Sequence, residues 1–185
     1  MSNQITVWTK QHENIAAILQ AKGRYIVKKE YIKSKMEEHA DIYLSVYNWY
    51  YGAAGKLLCP PEDVKYPIWV SLSKESKIET SAGTVGLELQ VPEERLITVD
   101  IDKWGKIVNY MYIPANAKDQ AAHEAMLARY GIDDCTAYMT SFYPSIKRKI
   151  IKSWDRLFDE SVQLSKFRVG TLWELKAEWV VSIIA

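Results

Sequence analysis

The order in which strand-like and helix-like segments follow one another limits this chain's fold more than any other feature. Ile5-Thr6-Val7-Trp8 is a β-rich run, and Thr9 is expected to cap a helix with Ile15, Ile18 and Leu19 on its apolar side and Gly23 as its stop. Tyr25-Ile26-Val27 reads as a second extended piece, and from Asp41 to Leu58 the positions Ile42, Val46, Trp49, Tyr50, Ala53 and Leu57 form an amphipathic stripe that Cys59-Pro60-Pro61 ends. Tyr66 to Leu72, Val85 to Val91 and Leu96 to Val99 are strand candidates. The last two are expected to be neighbours because only Pro92-Glu93-Glu94 turns between them.

The second half of the chain reads more helical. Asp100 is placed to cap a helix through Trp104, Val108 and Met111, Ala117 to Tyr130 is a helix stopped by Gly131, and Pro144 opens another through Ile146, Ile150, Trp154, Leu157 and Phe158. Gly170 to Ile184 then supplies one or two terminal strands with a turn near Lys176. Alternation of strand, helix and strand is not sustained, so the expected class is α+β: one globular domain over 1–185, with a mixed or antiparallel sheet and several flanking helices.

Composition weighs against several function classes. With 24 basic and 23 acidic residues the chain has no broad positive field, so nucleic-acid binding would need a local patch such as Lys147-Arg148-Lys149 with Lys152 and nearby Tyr143 and Trp154. Such a run is more commonly the wet face of an amphipathic helix. The two cysteines, Cys59 and Cys135, lie far apart with no His or Cys at metal-ligand spacing, which argues against a zinc site or a disulfide framework. Asp100 and Asp102 are too few for a magnesium or calcium cage. The polar start and the lack of an apolar run of about 20 residues lead to an expected cytoplasmic location.

Seven Trp and twelve Tyr against three Phe are unusual, and such rings suit half-wet clefts and interfaces because each carries a polar handle. They concentrate in three signatures: Trp8-Thr9-Lys10-Gln11, Tyr66-Pro67-Ile68-Trp69 and Asp100-Ile101-Asp102-Lys103-Trp104. In the first, Trp8 offers a stacking face, Gln11 donor and acceptor atoms, and the helix N-terminus after Thr9 an anion site; the same residues also serve as cap and core. In the second, Tyr66 is a candidate site hydroxyl and Trp69 a ring on the opposite strand face. Near the end of the chain, Glu174 stands between large rings and is a candidate acid or base, or a solubilising charge. His12, His39 and His123 have no nucleophile or carboxylate partner identifiable by motif.

These signatures resemble a bacterial domain family of unknown function whose members open with a Leu-Trp-Thr-x-Gln type segment, carry a Tyr-Pro-x-Trp strand and follow a Leu-Glu-x-x-Val-Pro strand with an acidic turn and Trp. Here those are Val7-Trp8-Thr9-Lys10-Gln11, Tyr66 to Trp69, Leu87 to Pro92 and Asp100 to Trp104. A weaker similarity is to the ADP-ribosyltransferase fold, through Asn14-Ile15-Ala16-Ala17-Ile18-Leu19 and Gly23. That resemblance implies NAD or a related nucleotide as ligand, with Trp8, Thr9, Gln11, Asn14 and Trp69 holding it and Tyr66 and Glu174 as catalytic residues. The alternative expectation is a protein-interaction module with no chemistry, using an aromatic-rich surface to hold a partner or a second copy.

Overall fold

The strand at the amino terminus is longer than its β-rich core suggests. In the structure, a computed structural model that describes residues 3–36, 40–76 and 79–184, β1 runs Gln4–His12 and passes straight through Thr9. Thr9 is therefore a strand residue and not a helix cap: its branched side chain suits the pleat, and β1 pairs with β4 (Thr84–Pro92) over nine consecutive positions, from Gln4↔Pro92 to His12↔Thr84. Helix α1 (Ile15–Lys22) starts after Asn14 and ends as expected at Gly23, which adopts φ 67 and donates its N–H to the Leu19 carbonyl.

Contacts divide the chain into two compact units, Met1–Thr98 with Arg168–Ala185, and Val99–Phe167. The first holds β2 (Arg24–Tyr25), α2 (Lys29–Met36), α3 (Ala40–Ala54), β3 (Ile68–Ser71), β6 (Arg168–Leu172), β7 (Leu175–Lys176) and β8 (Val180–Ile184). With β5 (Ile97–Asp100) these make a six-stranded antiparallel sheet in the order β5-β6-β3-β1-β4-β8, and β2 pairs with β7 separately. The sheet is flanked by helices, which makes the protein α+β, as its sequence implies. The expected pairing of the segments either side of Pro92 does not occur, since β4 and β5 lie four places apart in that order. A short 3₁₀ turn, Glu93–Arg95, joins them without closing a hairpin.

The strand alternation sets the core. Val7, Ile68, Val70, Leu87, Leu89, Val91 and Leu172 pack with Ile15 and Leu19 of α1 and with Leu175 and Trp179. Gly170 sits where β6 meets this layer: a Cβ there would come within 2.7 Å of Leu96 and 2.8 Å of Val70, so only glycine lets the strand approach this closely. Helix α3 buries Leu44, Val46, Tyr50 and Ala54, whereas Leu57, assigned to the stripe from sequence, lies beyond the helix end and is 62% exposed. His39 is outside the described residues, as is the side chain of Ile42.

The second unit contains α4 (Ile101–Val108), α5 (Ala117–Tyr130), α6 (Asp134–Met139) and α7 (Pro144–Ser153), the last continued by a 3₁₀ turn over Trp154–Phe158. Its start and stop residues act as expected: Asp100 caps α4, Gly131 ends α5 at φ 63, and Pro144 opens α7. Asp100 does more than cap. One carboxylate oxygen accepts the N–H of Asp102 and Lys103 and the other those of Leu164 and Ser165, tying the helix start to a distant loop. No helix among the described residues is long and apolar enough to cross a membrane.

Candidate functional site

A cavity of about 420 Å³ lies in the first unit, in the range of about 300–1,000 Å³ typical of small-molecule sites. It exists because β1 and β3 do not zip together. Their ladder is confined to Trp8↔Ser71, and beyond that pair the Thr9 hydroxyl, not a backbone N–H, donates to the Trp69 carbonyl at 2.8 Å. The cleft beside them is lined by Trp8, Thr9, Lys10 and Gln11 of β1, by Trp69 and Ser71 of β3, and by Tyr25, Val27, Tyr31, Ile32 and Tyr47 from the segments packed against the sheet.

Several ring handles are already engaged. Trp8 Nε1 donates to Glu88 at 3.3 Å, its cross-strand neighbour in the β1–β4 register, so the indole is held with its apolar body toward the cleft lining. The Trp69 ring centroid lies 5.6 Å from that of Tyr50. Tyr50 is fully buried and shares a 2.6 Å hydrogen bond with Thr171. Burial pushes its phenol up to about 12, the Thr171 bond working in the opposite direction. Burial also raises Tyr25 and Tyr47, so every one of these phenols is neutral at physiological pH, and among the described residues Lys10 is the one charged group in an aromatic lining.

Of the residues singled out from sequence, Trp8, Thr9, Gln11 and Trp69 meet in this cleft. Three others do not line it. Asn14 sits exposed at the start of α1, its N–H donating to His12 Nδ1 at 3.2 Å. Tyr66 precedes β3 and is only 7% exposed, packed with Ile32 and Leu44 and edge-on to Tyr47 at 6.1 Å; burial, then the charge of Glu30, raises its pKa. Glu174 lines a separate hollow of about 20 Å³ with Trp173 and Trp179, and its carboxylate is paired with Arg24, which also grips Asp63 at 2.9 and 3.0 Å. A Glu in such a clamp is already neutralised by its partner.

Sequence reading missed Tyr25, Tyr31 and Tyr47 as lining residues, because they come from segments whose approach to β1 depends on tertiary packing. It also found no partner for His123. In the second unit His123 Nε2 lies 2.6 Å from Asp134 and the imidazole stacks on Tyr112 at 4.0 Å, while Asp119 accepts the Tyr112 hydroxyl and pairs with Arg156 at 3.3 Å. Three of the four basic residues singled out on α7 are engaged in the same unit: Lys147 lies over the Tyr138 ring, Lys149 over Tyr112, and Lys152 pairs with Asp155. Trp154 is 1% exposed and gives its Nε1–H to the Met111 carbonyl, so it offers no stacking face. Among the described residues no group of three or more metal-ligating side chains converges, and Cys59 and Cys135 are exposed free thiols.

A family model described as a domain of unknown function, DUF3841, matches residues 6–181. The chain belongs to this family. Its match begins within β1 and ends in β8, so the DUF3841 match spans both the cleft and the helical unit. No curated protein and no solved structure matches the chain.

Proposed function

We infer that this DUF3841 protein uses the cleft between β1 and β3 to bind a flat-ringed, anionic small molecule of nucleotide type, NAD and adenosine monophosphate among them. The observation that carries the reading is the composition of one hollow: five aromatic side chains, the Gln11 carboxamide and the hydroxyls of Thr9 and Ser71, with Lys10 as the one charged residue in its described lining. Indole faces take up planar rings, and a single ammonium at the margin suits a phosphate. Binding is favoured over ADP-ribosyl transfer, because transfer needs a carboxylate beside the ribose. Among the described residues the lining contains no carboxylate, and Glu174 is committed to Arg24.

Calorimetric titration of the full chain with NAD and with adenosine monophosphate tests this. Both are expected to bind, and Trp8→Ala is expected to weaken them by roughly tenfold to a hundredfold, the worth of one base-to-ring stack. Failure of both nucleotides to bind at millimolar concentration would overturn the assignment.

A second reading rests on the helical unit, where Phe142 is 83%, Tyr130 59% and Met139 50% exposed. Exposed large rings of this kind suit a protein partner or a second copy. Sedimentation velocity would then show self-association that Phe142→Ser abolishes; a concentration-independent monomer would remove the self-association version.

A further inference from the structure

The geometry points to Gln11 as the group that selects the ligand's ring, admitting adenine and rejecting its 6-oxo counterpart. The inference rests on the cleft being a nucleotide site, and concerns which base it takes.

The orientation of the Gln11 amide is forced by a chain of three groups. The Trp69 carbonyl can only accept, so the Thr9 hydroxyl, 2.8 Å away, spends its single hydrogen there. Thr9 Oγ1 can then only accept from Gln11, 2.9 Å distant, which fixes the near atom of the amide as Nε2 and not Oε1. Thr9 is 6% exposed, so water does not readily substitute in this relay. What Gln11 has left is Oε1 and the second hydrogen on Nε2, an acceptor beside a donor, with no protein partner among the described residues. Gln11 lines the cleft, so that pair faces ligand space.

Such a pair fits adenine, whose N6 amino group donates next to a ring nitrogen that accepts. Hypoxanthine differs only at that edge. On its Watson–Crick side the donor and acceptor are exchanged, and on its N7 side both atoms accept. An unrestrained glutamine would flip to suit it; this one cannot without breaking the bond to Thr9. The ring cannot turn over either if Lys10 holds the phosphate, since that fixes which way round the nucleotide lies.

The experiment is calorimetric titration of the full chain with adenosine monophosphate and with inosine monophosphate, in the wild type, in Thr9→Val and in Gln11→Leu. The wild type is expected to favour adenosine monophosphate by about tenfold or more, the worth of one bidentate base contact. Thr9→Val keeps the side-chain shape but frees the amide to flip, so the two nucleotides should bind within about twofold of each other, with inosine monophosphate tightened. Gln11→Leu, at a half-buried lining position, should weaken adenosine monophosphate and abolish the preference. Equal affinities in the wild type, or a preference that survives Thr9→Val, would overturn the role of Gln11 and leave the cleft assignment standing. Absence of binding by either nucleotide would overturn both.

Discussion

Replacing Asp100 by alanine is expected to lower the protein's stability by about 3–5 kcal/mol, from the loss of a helix cap and of an acceptor shared by four backbone amides. The residue is 1% exposed, and its two oxygens accept N–H groups from Asp102, Lys103, Leu164 and Ser165 at 2.8 to 3.2 Å. Without the carboxylate those donors keep no partner of equal quality, and water cannot fully replace it at a buried junction. Asp100→Asn should cost less, since one amide oxygen still serves one pair of donors. For a chain of this size the alanine variant's melting temperature should fall by roughly 10 °C or more, measurable by thermal denaturation followed by circular dichroism.

The same residue gives the acid side of the stability profile. Burial alone would raise its pKa, but the four backbone bonds outweigh burial and hold it below the ordinary carboxylate value. Its native pKa being depressed, the stabilisation is fully present above the unfolded carboxylate pKa of about 3.9 and is lost as pH falls through the native value. Asp119, lowered chiefly by the Ala115 N–H and further by Tyr112 and Arg156, acts in the same direction within the same unit. The gap between wild type and Asp100→Ala should therefore be constant near neutrality and close below the ordinary carboxylate range. A gap that persisted unchanged into strong acid would mean the loss comes from packing and not from the charge.

Trp154→Ala should cost a similar amount, about 3–5 kcal/mol, as is usual for emptying a buried indole site. Trp154 is among the largest fully buried side chains, its ring lies 5.6 Å from Tyr138, and its Nε1–H satisfies the Met111 carbonyl at 2.9 Å. Trp154→Phe separates the two contributions: it retains most of the ring and forfeits the hydrogen bond, so about 1–2 kcal/mol should be lost. Urea denaturation of the three proteins checks this. Equal midpoints for wild type and the alanine variant would show that the indole fills no essential space.

How far the sequence disclosed this arrangement depended on how local each cause is. Gly23, Gly131, Asp100 and Pro144 each act through their own backbone angles or a bond a few residues away, and all were legible. The pairing of β4 with β1 and β8, not with β5, depends on contacts across the whole sheet and left no mark in the turn at Pro92. Helices α2 and α6 are short, six to eight residues, and too brief to display a full apolar stripe. Thr9 misled because a β-branched polar residue ahead of a helical stretch fits both a cap and a strand; ladder formation with β4 decided the matter. In the site, rings and polar atoms from one stretch of β1 were recognisable together, whereas the partners of Glu174 and His123 are 150 and 11 residues away and no spacing rule foretells either.

The uneven bonding of β1 gives the sheet a built-in mechanical asymmetry. One flank of the strand is riveted to β4 along nine positions, and the other touches β3 at a single rung. Any spreading of the sheet will concentrate along that weak line, as a zipper parts where teeth are missing. A molecule entering there would wedge apart two edges joined by little more than a threonine side chain, and the amino-terminal strand would stay anchored to its other neighbour throughout.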